Sequence, residues 1–226
     1  MISADDYGYA PAYDRGILEA ADAGALDAVS VMVARRRPPD VRALLRSGVE
    51  LGLHLELTTL PPTEATAGEA ERRAALTSLS RQLEAFGELF GRNAAFLDGH
   101  HHCHALPGLA ALIGRAAADR GLPTRSIDAR HRRLLRSLGV PTPDLLVGRL
   151  REDRPALPPE LEPLLVGEPA PIGGVVEWMV HPGHPDASAG SAYDAGREQD
   201  LRLLGELLES GPLRRLRATH AAALAR

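Results

Sequence analysis

Lysine is missing from all 226 residues, and each of the 26 basic side chains is an arginine. That excludes Schiff-base chemistry on a lysine and the phosphate-binding lysine of a P-loop. Cysteine occurs once, at Cys103, which excludes an intramolecular disulfide and any zinc or iron–sulfur site built from several thiolates. Glycine-rich phosphate loops of the G-x-G-x-x-G or G-x-x-x-x-G-K-[ST] type are lacking, and no G-x-S-x-G marks a serine hydrolase. No stretch approaches the roughly 18 apolar residues of a membrane helix. The opening Met-Ile-Ser-Ala-Asp-Asp has neither the basic start nor the apolar run of a signal peptide. A soluble cytoplasmic protein without a membrane span is the expectation. A formal net charge of -4 implies no general attraction to nucleic acid.

What is present is ordinary globular material, 44% hydrophobic and 25% charged, in a length that suits one sizeable domain. Short apolar runs alternate with helical patterns, which predicts an α/β fold with parallel strands. The expected strands are a short one ending at Ala4, then 28–34, 49–57, 94–104, 122–127, 175–180 and 213–219. The expected helices are 14–23, 38–47, 69–90, 107–120 and 195–210. Residues 141–171 carry eight prolines and read as a loop-rich excursion with one or two short helices. About seven strands with helices between them fit either a barrel or a twisted open sheet.

Nine histidines are the unusual entry in the composition, and five of them fall at His54, His100, His101, His102 and His104. In a parallel α/β fold the C-terminal strand ends form the rim of the site. Asp5 and Asp6 stand at the end of the first strand. Adjacent strand residues point to opposite faces, so one acid is free to bind a metal while the other accepts a proton. His54 lies on the polar face of an alternating strand, where a lone histidine is more often a satisfied rim residue than a ligand. In Asp98-Gly99-His100-His101-His102-Cys103-His104, a strand period of two puts Asp98, His100, His102 and His104 on one face. Such a row is costly to bury without a task, and imidazole is the commonest divalent-metal ligand at neutral pH. His100 is the natural ligand of the four, with Asp98 behind it or on the substrate side. Cys103 points the other way and reads as a buried spectator. Glu177, Met179 and His181 share a face of a strand that Pro182-Gly183 terminates, leaving His181 at the rim where a general acid should sit. Strand ends from four separate strands thus offer one constellation.

Taken in order, Ala4-Asp5-Asp6-Tyr7-Gly8, Gly52-Leu53-His54-Leu55, Leu97-Asp98-Gly99-His100-His101-His102-Cys103-His104 and Glu177-Trp178-Met179-Val180-His181-Pro182-Gly183 resemble the YdjC-like carbohydrate deacetylases. Arg125, Thr142-Pro143-Asp144 with Gly148, and Ser191-Ala192-Tyr193 with Arg197-Glu198 extend the likeness over nearly the whole chain. The resemblance implies an irregular, TIM-barrel-like (β/α) barrel in a single domain spanning 1–226. It implies one divalent metal, Mg2+ or Zn2+, held by Asp6, His54 and His100, with Asp5 as general base and His181 as candidate acid. Asp98, His102, His104, Arg125 and Glu177 would bind substrate or support these groups. The implied reaction removes an N-acetyl group from an acetylated amino sugar or chitooligosaccharide and releases acetate. A homo-oligomer is compatible with it. The first strand and residues 127–171 are short for this family. The alternatives are another barrel metallohydrolase, such as a phosphoesterase or amidohydrolase, and a non-catalytic sugar- or metal-binding relative.

Overall fold

A computed structural model describes residues 1–35, 40–57, 68–148, 158–165, 174–191, 194–211 and 213. Its elements in chain order are β1 (Ile2–Tyr7), α1 (Pro11–Asp22), β2 (Ala28–Val31), α2 (Val41–Ser47), β3 (Glu50–Leu55) and α3 (Glu69–Phe90). They continue with β4 (Leu97–Gly99), α4 (Ala110–Ala118), α5 (Ala129–Ser137), β5 (Leu145–Val147), α6 (Glu162–Leu165), β6 (Val176–Val180) and α7 (Asp194–Glu209). The six strands are all parallel and run in the order β4-β3-β2-β1-β6-β5, a curled half-barrel.

Local chemistry explains the boundaries. Pro11 opens α1, where its missing N–H costs nothing. The Asp40 carboxylate caps α2 by accepting from the Ala43 N–H. In α3, Ala75, Leu79, Gln82, Phe86 and Phe90 recur at helical spacing and form its buried stripe. Gly91 ends that helix in the left-handed conformation, at φ 66°, that a side chain would resist. The central strands are buried on both faces, as parallel strands covered by crossover helices must be. Ile17, Val29, Leu53, Phe86, Leu97 and Trp178 belong to one continuous core.

Three expectations change. The strand predicted over 94–104 stops at Gly99, and His100–Ala105 coil into a 3-10 turn with His101 and His102 at φ 50° and 55°. Two consecutive left-handed residues end the two-residue alternation, so Asp98, His100, His102 and His104 do not share a face. The strand predicted over 122–127 is reduced to one bridge between Leu97 and Thr124. Pro123 has no N–H to give to a ladder, and the chain turns at Asp128 to cap α5. The last predicted strand, 213–219, lies almost wholly outside the described residues. Among the described residues β4 and β5 do not pair with each other, so in place of the expected irregular barrel of about seven strands the sheet is a half-barrel of six. The helix over 129–137 was not anticipated. Among the described residues no helix is long and apolar enough to cross a membrane.

The loop after β6 is placed by a glycine-to-glycine contact with α1. A methyl group on Gly16 would lie 2.5 Å from the Gly183 Cα. Helix propensity alone favours alanine there by about 1 kcal/mol. The clash is with backbone, which cannot rotate away, and overpacking costs about 1–3 kcal/mol. We expect Gly16→Ala to lower stability in urea unfolding despite its better helix propensity. An unchanged or raised midpoint would show that the two segments can separate freely.

Candidate active site

The first strand ends irregularly, and that irregularity assembles the site. Ala4 pairs with Val29 and Tyr7 with Val31, so three steps on β1 match two on β2. The extra residue is accommodated with Asp6 at φ 71°. The alternation expected of adjacent strand residues therefore fails here. Asp5 and Asp6 are both buried and both turn toward His54.

Asp6 Oδ1 lies 2.9 Å from His100 Nδ1 and 3.2 Å from His54 Nε2. These three residues form a group whose potential ligand atoms lie within 4.8 Å of one another. The other nitrogen of His54, Nδ1, donates to Asp98 Oδ1 at 2.7 Å, and the Ser30 hydroxyl also donates to that oxygen. Asp98 holds the Nδ1 proton, so Nε2, which faces Asp6, is the nitrogen that would give up its proton to a metal, the usual arrangement behind a metal-binding imidazole. The donor set thus fits one divalent cation. Charge points the same way. Four converging carboxylates, Asp5, Asp6, Asp98 and Glu177, face two buried guanidinium groups, Arg125 and Arg197, so a cation that displaced the His54 proton would meet two unmatched negative charges.

Asp5 belongs to a different network. Arg125 grips it with two nearly parallel bonds, Nη1 to Oδ2 at 2.6 Å and Nη2 to Oδ1 at 2.8 Å. The same guanidinium donates from Nε to Glu177 Oε1 at 2.8 Å and lies 2.8 Å from Asp98 Oδ2. Asp5, His54 and Asp98 also meet the spacing of a cation site, but Arg125 already contacts both carboxylates. His181 stands beside Asp5, with Nε2 4.0 Å from Oδ2, and its backbone N–H is held by Asp200.

The histidine run divides. His100 reaches Asp6, and His101 stands exposed with its ring 4.1 Å from that of His100. His104 is fully buried and donates from Nε2 to the Arg125 carbonyl, so it supports the arginine from below. His102 is mostly enclosed between them, and the Cys103 thiol is buried against the Leu55 carbonyl. Sequence reasoning left Ser30, Arg197 and Asp200 out of the site. A serine inside the apolar run of β2 was a usable signal, since a buried hydroxyl needs a partner. Asp200, one polar residue among many on α7, carried none.

Burial penalises every charge here, and the neighbours decide the outcome. For His54, burial alone would lower the pKa, but Asp98, Asp5 and Asp6 outweigh it and push it up to about 10. Burial would raise Asp5, yet Arg125 and the adjacent imidazoles hold it well below the usual carboxylate range. Asp6 behaves alike through His100, His54 and Arg197. Burial takes His181 down to about 3, since the upward pull of Asp6 and Asp5 does not offset it and Arg197 and His54 add to the fall, so its imidazole is neutral. Burial likewise takes His102 down to about 4 and the Cys103 thiol up to about 12, which leaves the thiol inert. His54 in the metal-free chain is thus an imidazolium whose stabilisation is complete below its ordinary pKa of 6.5 and lost as the pH climbs to about 10. We expect the metal-free protein to lose stability over that interval. Binding a divalent ion near pH 7.5 should expel about one proton per ion. Calorimetric titration in two buffers of different ionisation enthalpy measures that proton, and identical heats would contradict a charged His54.

Residues 1–207 match the family model described as YdjC-like protein. The chain is 33% identical to a carbohydrate deacetylase of Mus musculus over 148 residues, 54% of this chain and 48% of that one. It is 30% identical to a chitooligosaccharide deacetylase of Serratia marcescens, covering 63% and 64% of the two chains. A carbohydrate deacetylase of Geobacillus stearothermophilus is 28% identical and covers 90% of this chain and 88% of its own. The chain spans about half the length of the mouse and human relatives that it matches. Among solved structures, a protein of Enterococcus faecalis V583 put forward as a cellobiose-phosphate cleavage protein superposes with a TM-score of 0.70 at 22% identity, over 94% of each chain, a likeness of fold. The match to the family model covers the strands, the irregular end of β1 and every residue of the site, and the chain belongs to the YdjC-like family.

Proposed function

We propose that residues 1–226 form one deacetylase domain that hydrolyses the N-acetyl group of an acetylated amino sugar or chitooligosaccharide, with one divalent metal at Asp6, His54 and His100. One observation carries this reading. Two adjacent carboxylates turn toward the same histidine yet are held differently: Asp6 keeps Oδ1 among imidazoles with Oδ2 on Arg197, whereas both oxygens of Asp5 lie on Arg125. Metal-assisted amide hydrolysis needs that division between a ligand and a base. Two imidazoles and one carboxylate suit zinc better than magnesium, which prefers oxygen ligands throughout. A metal in this position supplies a more acidic water and a polarised carbonyl.

The protein's own groups perform the proton transfers. Arg125 fixes the plane of the Asp5 carboxylate and keeps it ionised, ready to take a proton from the attacking water. The water oxygen bonds to the acetyl carbon, the C–N bond breaks, and the nitrogen must gain a proton to leave as an amine. His181 is neutral and therefore holds no spare proton before the reaction. Its Nε2 stands 4.0 Å from Asp5 Oδ2, so the water's proton passes onward to the leaving nitrogen through one bridging water or once the two groups close to contact. Glu177, Asp98, His104 and Ser30 keep Arg125 and His54 in place, and the exposed His101 is left on the substrate side.

The test is acetate release from N-acetylglucosamine, diacetylchitobiose and longer oligomers in the presence of divalent metals. Asp5→Asn should cut turnover by about 100-fold or more while the metal remains bound. Asp6→Ala should abolish both. One ion per chain is expected, and two tightly bound ions would favour a binuclear phosphoesterase or amidohydrolase. Bound metal with no acetate release from any of these sugars would favour a non-catalytic relative.

A further inference from the structure

The Asp6 carboxylate has two oxygens in different surroundings. Oδ1 faces His54 and His100, whereas Oδ2 accepts a hydrogen bond from Arg197 Nη2 at 2.5 Å. Arg197 comes from α7, 191 residues along the sequence from Asp6, and it is 1% exposed. Its guanidinium centre lies 3.7 Å from the centroid of the Tyr13 ring on α1, a cation–π contact sealed from water. The Tyr13 hydroxyl in turn donates to Asp194 Oδ1 at 2.7 Å, one helical turn before Arg197. The Arg197 carbonyl accepts the Gly183 N–H, which anchors the loop after His181 to the same turn of helix. Arg197 is thus held by a ring that its own helix holds, and the carboxylate it grips is fixed by a left-handed backbone.

We propose that Arg197 is a positioning residue that occupies one oxygen of Asp6, so that the carboxylate offers a metal Oδ1 alone. This rests on the reading of Asp6, His54 and His100 as the metal site. A bidentate carboxylate would take an additional coordination position, and that position is needed for the water and the substrate carbonyl. A planar, permanently charged guanidinium pinned to an aromatic ring can do this, because it neither deprotonates nor swings away. Arg125 does the corresponding work for Asp5, so the two acids are given their roles by two different arginines.

Cobalt(II) replaces zinc-like ions and its visible absorption weakens as coordination number rises, so the purified full chain, stripped of metal and titrated with cobalt alone, reads the geometry directly. The parent should take up cobalt with an intense visible band. Arg197→Met should still bind it, with the band weakened by about twofold or more as Oδ2 joins the metal. Arg197→Lys, which keeps a charge and a donor, should recover most of the parent band. Thermal unfolding of each variant reports whether it is folded. If Arg197→Met is not, Tyr13→Leu carries the test, since it removes the platform under the guanidinium and should weaken the band in the same direction. A band unchanged in a folded Arg197→Met or in Tyr13→Leu, or loss of cobalt binding by a folded Arg197→Met, would overturn the proposal and leave the metal reading standing. A parent chain that takes up no cobalt would overturn both.

Discussion

Arg125 reaches Asp5 on β1, Asp98 on β4 and Glu177 on β6, with all four side chains sealed from water. A guanidinium in that position would be ruinous alone, and three carboxylates without it would repel one another. The group is tolerable only as a whole, which ties the ends of three strands to one point. His104 and the Leu97 carbonyl then hold the segment that carries Arg125, so the histidine-rich turn supports the charge cluster from the side away from solvent. Removing any one member leaves its partners buried and uncompensated, and such losses are larger than the net worth of the contact.

Above this cluster the chain departs from regular geometry at Asp6, His101 and His102, all at positive φ. Strain at a non-glycine residue persists only where the surroundings over-determine it. At Asp6 the over-determination is visible: two imidazoles hold one oxygen and Arg197 holds the other. At His101 and His102 the kink separates one ring for the pocket, one for the rim and one for the interior. A regular strand could not have done this, because its alternation offers only two directions.

The relation between the two acids follows from these constraints. Asp5 and Asp6 are neighbours in sequence, both are buried and they share His54, yet each has its own arginine and its own second imidazole, His181 for Asp5 and His100 for Asp6. Asp6 Oδ1, the Nε2 of His54 that faces it and the partly exposed His100 make that side the place for a cation. On the Asp5 side Arg125 already occupies both carboxylate oxygens.

Much of this was legible from one dimension. Alternating apolar runs located β2, β3 and β6, and the helix over Glu69–Phe90 followed from its spacing to the residue. The aspartate pair, His54, His100, Glu177 and His181 stood out as polar residues on apolar strands, where burial is costly, and Arg125 entered only through the family resemblance. Composition removed multi-thiolate metal sites and lysine chemistry, and the missing glycine-rich motifs argued against nucleotide binding. What sequence could not supply was direction. Whether Asp5 and Asp6 diverge or converge depends on one extra residue in the pairing of β1 with β2, and pairing is a property of two strands. The strand read through 94–104 failed because left-handed turns at histidine leave no periodic trace. Arg197 meets Asp6 across 191 residues of chain, through a stack with Tyr13 that no local pattern encodes. Residue types and their costs are local and can be read in order; the partners that offset those costs are chosen by packing, and only the folded chain decides them.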